Sequence, residues 1–132
     1  MIQGVGIDII EVDRFAHWHT FQSAQLQRIF SIAEIAYCLE HEKLSAARFA
    51  VRFAAREAFY KAIQTAHPKT PLAFLTTCRS VYIAHNHLGV PHLMVNWELL
   101  SKSIPQLQPL TSHISLSHSR TSATAIVILE SA

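Results

Sequence analysis

Two carboxylates and one lysine are the residues of this chain whose types and spacing most suggest chemistry. Glu57 and Lys61 stand four residues apart in "VRFAAREAFYKAI", and Asp8 lies far upstream in an apolar run where a carboxylate needs a partner. An Asp and a Glu from two elements can together hold Mg²⁺, with water and phosphate oxygens as its other ligands. The set favours a phosphate-ester ligand, but Glu57 and Lys61 also fit an ordinary ion pair on a solvated helix face.

A basic ridge follows the same segment. Arg48, Arg52 and Arg56 recur every four residues and would lie along one side of a helix. Arginine offers phosphate a two-pronged hydrogen-bond donor, and lysine offers it a point charge. Because such a ridge is more often solvated surface than a binding site, the spacing alone leaves both interpretations open.

The elements that would position these residues can be predicted from periodicity and capping signals. "IQGVGIDIIEV" at 2–12 is rich in β-branched residues and predicts a first strand that contains Asp8. "SIAE" at 31–34 matches a capping box and predicts the start of a helix. Ser45 would cap the next and longest helix, which would run to about Ala66 before "HPKTP" ends it.

The second half of the chain predicts short strands. "RSVYIAH" and "VPHLMVN" flank the turn "NHLG", "NWELLSKSI" indicates a short helix, and "HISLS" and "ATAIVILE" flank the turn "HSRTS". One strand, then helices, then a run of strands is typical of an α+β fold with helices packed on a small antiparallel sheet. Without a repeat or a linker, the sequence predicts a single domain over residues 1–132.

Composition and charge exclude several classes of function. The chain has 132 residues, of which 50% are hydrophobic and 15% charged, and its net charge of +2 is too small to indicate nucleic-acid binding. Cys38 and Cys78 form no CxxC pair, so neither a zinc site nor a disulfide framework is indicated. The first residues lack the basic region of a secretory signal, and no uncharged run reaches the length of a membrane helix. We therefore expect a cytoplasmic protein that makes no membrane contact.

Three segments together resemble the holo-acyl-carrier-protein synthases, the small 4′-phosphopantetheinyl transferases. They are "GVGIDIIEVDRF" at 4–15, "RFAAREAFYKAI" at 52–63 and "HISLSHSRTSATAIVILE" at 113–130. The resemblance implies transfer of the phosphopantetheine arm of coenzyme A to a serine of apo acyl carrier protein, with release of adenosine 3′,5′-bisphosphate, in fatty acid biosynthesis. It also implies use of Mg²⁺ and a compact α+β homotrimer with active sites between neighbouring subunits.

The same resemblance gives individual residues their expected roles. Asp8 of "GIDI" and Glu57 are expected to be Mg²⁺ ligands, and Lys61 to lie near the coenzyme A phosphates, so that these three form the catalytic set. The general base would be Glu57 or a Mg²⁺-bound water, and the sequence does not choose between them. The residues expected to contact coenzyme A are Lys43, Arg52, Arg56, Lys61 and His113. The residues expected to bind the acidic carrier protein are Arg14 and Arg28.

Two departures from the family pattern affect these expectations. The family usually has Lys-Glu-Ala where this chain has Arg56, Glu57 and Ala58, and arginine is not a neutral replacement for lysine at a close phosphate contact. The segment after the long helix, "IQTAHPKTP", also lacks the glycine that family members tend to carry there. A non-catalytic module that binds coenzyme A or carrier protein therefore remains as the alternative to an active transferase.

The nine histidines and two tryptophans allow other interpretations. No two histidines stand four residues apart on a predicted helix and no HExxH occurs, which disfavours zinc catalysis. We interpret His118 as a turn residue satisfied by neighbouring hydroxyls. Trp18 and Trp97 are interpreted as packing residues rather than stacking platforms for single-stranded nucleic acid.

Overall fold

A long helix that lies across a three-stranded antiparallel sheet forms the body of the structure. The computed structural model describes residues 1–132. The strands are β1 (Ile2–Glu11), β2 (Val81–His85), β3 (Pro91–Val95), β4 (Thr111–His118) and β5 (Ser122–Glu130). The α-helices are α1 (Ser23–Leu26), α2 (Ile32–Leu39), α3 (Glu42–Ala66), α4 (Phe74–Ser80) and α5 (Trp97–Ser101). The predicted α+β fold with helices on a small antiparallel sheet is confirmed.

The strands form two separate antiparallel sheets. The larger has the order β1-β5-β4, and the smaller is the hairpin of β2 and β3. In the larger sheet Asp8 lies opposite Ala125, and His113 lies opposite Ile128. Because alternate strand residues point to opposite faces, Asp8 is on the face that packs against α3 and His113 is on the other face.

Small residues let β1 lie directly against α3. A Cβ atom at Gly6 would overlap the carbonyl oxygen of Ala58, and one at Gly4 would overlap that of Ala62. Ala58 and Ala62 are themselves fully buried. This contact between two backbones brings Asp8, two residues after Gly6, next to the side chains on the same part of α3.

The helix boundaries confirm one predicted cap and correct another. The predicted capping box of α2 forms: Ser31 N donates to Glu34 Oε1 at 2.9 Å, and Glu34 N donates to Ser31 Oγ at 3.2 Å. The prediction that Ser45 caps the long helix is wrong, because α3 already begins at Glu42 and Ser45 lies inside it. Its hydroxyl is buried without a hydrogen-bond partner. The helix ends at Ala66, as predicted.

Aromatic rings pack the end of the core between β1 and α3. Trp18 lies 4.5 Å from Phe15 and 6.0 Å from Phe53, measured between ring centroids. Trp97 packs against Phe59 at 6.3 Å. Both tryptophans are therefore packing residues, as the sequence predicted.

The two cysteines are buried and unpaired. Burial raises the pKa of Cys38 and of Cys78 to about 12, so both thiols stay protonated at neutral pH. None of the helices has the length and hydropathy required to cross a membrane.

Candidate active site

Asp8 and Lys61 meet where β1 crosses α3. Lys61 Nζ lies 3.2 Å from Asp8 Oδ1 and also donates to the carbonyl oxygen of Ile7 at 2.9 Å. The Asp8 side chain is 15% exposed and that of Lys61 is 50% exposed. The lysine therefore gives Asp8 the partner that its place in an apolar strand requires.

Glu57 is a half-buried member of the same group. Burial raises the pKa of its carboxyl, and the negative charge of Asp8 raises it further, while Lys61 and Arg14 act in the opposite direction. Asp8 and Glu57 therefore act on each other electrostatically, and Lys61 acts on both. The structure thus brings Asp8, Glu57 and Lys61 together; we call these residues the carboxylate cluster.

The carboxylate cluster contains the two residues that were expected to be Mg²⁺ ligands, Asp8 and Glu57. The structure contains no group of three or more His, Cys, Asp or Glu side chains arranged to hold a metal. Two protein carboxylates are the number that Mg²⁺ usually takes when water and substrate phosphates complete its coordination. A divalent cation would also relieve the repulsion that raises the pKa of Glu57.

A second site is a basic cavity of about 340 Å³ between α2, α3 and the hairpin of β2 and β3. Arg48 and Arg52 both stack on the ring of Tyr37, with their guanidinium carbons 3.9 and 4.5 Å from its centroid. Arg48 also donates to the carbonyl oxygen of Tyr37 at 2.7 Å. His85 and Pro91, which pair across the hairpin, complete one wall. We call this space the arginine cavity.

Arg52 has the character of an anion-binding residue. It is only 4% exposed and lines the arginine cavity. Its Nη1 donates to the carbonyl oxygen of Arg48 at 3.2 Å, but its Nε is buried without a hydrogen-bond partner. A buried guanidinium with an unused donor is costly in the free protein, so an anionic ligand in the cavity would stabilise it.

Lys43 borders a neighbouring cavity of about 420 Å³. His118 lines this cavity and the arginine cavity alike, so the two are adjacent. Arg120, in the turn between β4 and β5, lines the same space as Lys43. The predicted pair Lys43 and Arg52 therefore borders a continuous basic region.

Arg56 is not available for the phosphate contact that was predicted for it. It is 1% exposed and its two terminal nitrogens bind both oxygens of Glu34, at 3.0 and 2.6 Å. Its remaining donors reach carbonyl oxygens of Ile29, Cys78, Arg52 and Val81. Because every N–H of the guanidinium is used inside the core, Arg56 has none left for a phosphate, and we exclude it from the site.

Glu34 is held in its charged form by Arg56. Burial alone would raise the pKa of the Glu34 carboxyl, but the charge and hydrogen bonds of Arg56, with backbone N–H donors from Ser31 and Ile83, outweigh burial and lower the pKa. The pair fastens α2 and the start of β2 to α3. It therefore fixes the wall of the arginine cavity that carries Tyr37 and His85.

Replacing Glu34 by glutamine is expected to destabilise the protein by about 3–5 kcal/mol, because it leaves the Arg56 charge buried without its partner. Urea unfolding at pH 7 measures this. The contribution of a carboxyl with a lowered pKa is complete above the ordinary glutamate pKa of about 4.3 and is lost as the pH falls through the lower folded value. The stability of the wild type should therefore fall more steeply in acid than that of Glu34→Gln.

Glu40→Gln is the matched control for Glu34→Gln. Glu40 lies 3.7 Å from Arg48 with its side chain 56% exposed, and such surface pairs contribute about 0–1 kcal/mol. Equal losses of stability in the two variants would contradict the role given to the buried pair.

The remaining predicted residues lie apart from one another. Arg14 is exposed in the 3-10 turn Val12–Phe15, with its guanidinium 5.8 Å from the Phe53 ring, and its charge reaches Glu57. Arg28 is exposed just after α1. His113 bonds Glu130 at 2.9 Å on the face of the sheet turned away from α3, so the structure does not bring it to Arg52 within one chain.

Sequence reasoning missed four side chains that line the two cavities. These are Tyr37, Arg48 as a site residue, His85 and Arg120. His118 is also placed differently from its interpretation as a satisfied turn residue. The hydroxyl of Ser119 accepts from the backbone N–H groups of Thr121 and Ser122 instead, and the His118 ring is exposed at the junction of the two cavities. The recurrence of Arg48 with Arg52 was the one signal that could have indicated this site.

The carboxylate cluster and the arginine cavity lie on opposite sides of α3. Arg52 and Lys61 are nine residues apart, which at about 100° per residue places them about 180° apart around the helix axis. The residues that line the arginine cavity include neither Asp8 nor Glu57 nor Lys61. The two groups of charged side chains therefore face different directions in one chain.

Comparison with known proteins gives a consistent result. Residues 4–123 match the family model described as the 4′-phosphopantetheinyl transferase superfamily. The chain is 36% identical to the holo-[acyl-carrier-protein] synthase of Treponema denticola, over 98% of this chain and 99% of that protein. Among solved structures, it is similar to a holo-(acyl-carrier-protein) synthase from Bacillus anthracis in complex with coenzyme A (3′,5′-ADP), at 28% identity and a TM-score of 0.75, covering 100% and 99% of the chains. The corresponding protein of Neisseria meningitidis gives 29% identity and a TM-score of 0.76, covering 98% and 99%.

Proposed function

Because this chain belongs to the 4′-phosphopantetheinyl transferase superfamily, we propose that it is a holo-[acyl-carrier-protein] synthase. It transfers the 4′-phosphopantetheine group from coenzyme A to a serine of apo acyl carrier protein and releases adenosine 3′,5′-bisphosphate. The observation that carries this proposal is the meeting of Asp8, Glu57 and Lys61 where β1 crosses α3, within a chain that matches the family over almost its full length.

The reaction needs charge compensation and alignment more than covalent chemistry. The serine oxygen forms a bond to the phosphorus that carries pantetheine, and the bond from that phosphorus to the leaving adenosine 5′-phosphate oxygen breaks. The proton of the serine hydroxyl passes to the Glu57 carboxylate or to a water in the site. Lys61, half-exposed beside Asp8, offsets the negative charge that develops on the phosphate oxygens. Asp8 holds the ammonium of Lys61 in place for this role.

Asp8 and Glu57 are the residues that would hold Mg²⁺. When bound, the ion supplies Lewis-acid stabilisation of phosphate charge. The electrostatics of Glu57 support this assignment, because burial raises the pKa of its carboxyl and the charge of Asp8 raises it further, and a cation bound to both would favour the charged forms.

Coenzyme A binds through its nucleotide end in the arginine cavity. Arg48 and Arg52 supply the positive charge, Tyr37 and Leu116 supply apolar walls, and Lys43 extends the basic surface. The unused buried donor of Arg52 supports an anionic occupant. His113 lies outside this cavity in its own chain, so its predicted contact with coenzyme A requires a neighbouring subunit.

The protein forms a homotrimer whose active sites lie between subunits. The outer face of the larger sheet is apolar and uncovered along β1, where Val5, Ile7 and Ile9 are 45%, 61% and 72% exposed. An exposed apolar face of this kind favours contact with another copy. Such contact would also bring the arginine cavity of one subunit toward the carboxylate cluster of the next, which one chain cannot do.

Apo acyl carrier protein binds beside the carboxylate cluster. Arg14 supports this position, because it is exposed and its charge acts on Glu57. Arg28, which is exposed just after α1 and lies apart from Arg14, offers a second positive charge to an acidic partner.

Mass spectrometry of the carrier protein tests the activity. The protein is mixed with coenzyme A, Mg²⁺ and an apo acyl carrier protein, and the carrier protein is expected to gain the mass of phosphopantetheine. A carrier protein whose acceptor serine is replaced by alanine is the control and should gain nothing. If coenzyme A binds but the intact carrier protein never gains the mass, the chain is instead a non-catalytic binding module.

A further inference from the structure

His85 occupies a fixed place in the wall of the arginine cavity. It is the last residue of β2 and pairs with Pro91 of β3, which lines the same cavity. Its ring lies 5.9 Å from that of Tyr37 between centroids, and Tyr37 is the ring on which Arg48 and Arg52 stack. An imidazole and two guanidinium groups therefore surround one phenol ring.

The residues that line the cavity with His85 include two arginines and no carboxylate, although Glu40 lies 3.7 Å from Arg48 outside the lining and Glu34 accepts from the backbone N–H of Ile83. None of the salt bridges of the protein includes it; those that involve histidine use His19, His41 and His113. The imidazole makes no hydrogen bond, whereas the neighbouring His92 contacts Asn86. The titratable and charged residues that line the cavity with His85 are Tyr37 on α2, Arg48 and Arg52 on α3, and His118 on β4.

The surroundings of His85 therefore favour the neutral form of its ring in the free protein. Burial lowers the pKa of its ring, and the charge of Arg52 lowers it further. A phosphate monoester in the cavity would introduce negative charge next to the ring and oppose the effect of Arg52. The protonated form would then be favoured in the complex.

We propose that His85 is a further binding residue of the arginine cavity, which takes up a proton when a phosphate monoester enters and so makes nucleotide affinity increase as the pH falls. This inference rests on the proposed function, since that function places the nucleotide end of coenzyme A in this cavity. His85 acts through binding only, because it lies on the opposite side of α3 from Glu57 and Lys61.

Calorimetric titration with adenosine 3′,5′-bisphosphate tests this proposal. The affinity and the number of protons taken up are measured from pH 6 to pH 8 in buffers that differ in ionisation enthalpy. The phosphates of the ligand titrate themselves near pH 6, so the informative quantity is the difference between the wild type and His85→Gln. The ratio of the affinity at pH 6 to the affinity at pH 8 should be about 3- to 10-fold larger for the wild type than for the variant.

Three further variants make the result specific. His87→Gln changes an exposed histidine of the same hairpin that does not line the cavity, and should behave as the wild type. His118→Gln tests whether the other imidazole that lines the cavity contributes to the pH dependence of nucleotide affinity. His85→Lys carries a permanent charge, so it should bind tightly at pH 8 and lose the extra proton uptake.

The outcomes separate this inference from the function on which it rests. If His85→Gln keeps the pH dependence and proton uptake of the wild type while both proteins modify carrier protein, the role of His85 is overturned and the proposed function stands. The same holds if His118→Gln alone removes the pH dependence. If the wild type neither binds the nucleotide nor modifies carrier protein, both proposals fail.

Discussion

A Glu57→Gln variant is expected to transfer phosphopantetheine at least about 100-fold more slowly than the wild type, with its fold intact. Glutamine keeps the size of the side chain but removes the negative charge that a cation needs and the oxygen that could accept a proton. Glu57 is only half-buried on α3, so this change leaves the core unaltered. Initial rates of carrier-protein modification, measured by mass spectrometry at saturating Mg²⁺, provide the measurement.

Asp8→Asn and Glu98→Gln complete this test. Asp8→Asn should cause a loss of similar size, because it removes the other carboxylate of the cluster and the partner of Lys61. Glu98→Gln changes an exposed carboxylate on α5, outside both sites, and should keep wild-type activity. Thermal unfolding followed by circular dichroism checks that all three fold. A folded Glu57→Gln variant with a near-normal rate would remove Glu57 from the proposed catalytic set.

The carboxylate cluster could be predicted from the sequence because local signals determine both of its elements. The β-branched run around Asp8 predicts a strand, and the alanine-rich segment around Glu57 and Lys61 predicts a helix. The close crossing of the two elements follows from Gly4 and Gly6, which allow backbone contact with α3. Resemblance to the family motifs then indicated which charged residues would meet.

Arg56 could not be placed correctly, because its partner is remote in sequence. The four-residue spacing of three arginines gives the same pattern whether they face solvent or the core. Only the fold brings Glu34 from α2 within 2.6 Å of Arg56 and turns that arginine inward. The four-residue spacing of Arg48 and Arg52 is consistent with a shared cavity. The cavity itself also depends on Tyr37 and His85, to which no sequence signal assigned a role in a site.

An experiment with mixed subunits tests whether one active site uses two chains. Arg52→Met keeps the approximate volume of a buried side chain but removes its charge. The variant should therefore bind coenzyme A at least about 10-fold more weakly than the wild type. Glu57→Gln removes the carboxylate on the other side of α3. Each variant alone is therefore expected to show little activity at low coenzyme A concentration.

In the proposed homotrimer, assemblies that contain both variants should recover activity. If a site takes Glu57 from one subunit and Arg52 from the next, every trimer that contains both variants has one site with both native residues, so about one third of wild-type activity returns. Co-expression with two different affinity tags, followed by purification on both, isolates these mixed trimers. Arg52→Met subunits that carry the same two tags are the matched control and should stay at their low rate.

A site contained within one chain makes the opposite prediction. Every subunit of the mixed trimer would then carry one defective residue, and no arrangement of subunits could restore activity. Recovery would therefore show that Arg52 and Glu57 of one subunit belong to two different active sites of the assembly. The separation of about 180° around the axis of α3 between the two sites already favours this arrangement. Absence of recovery in a trimer of verified composition would instead require coenzyme A to pass around α3 within one subunit.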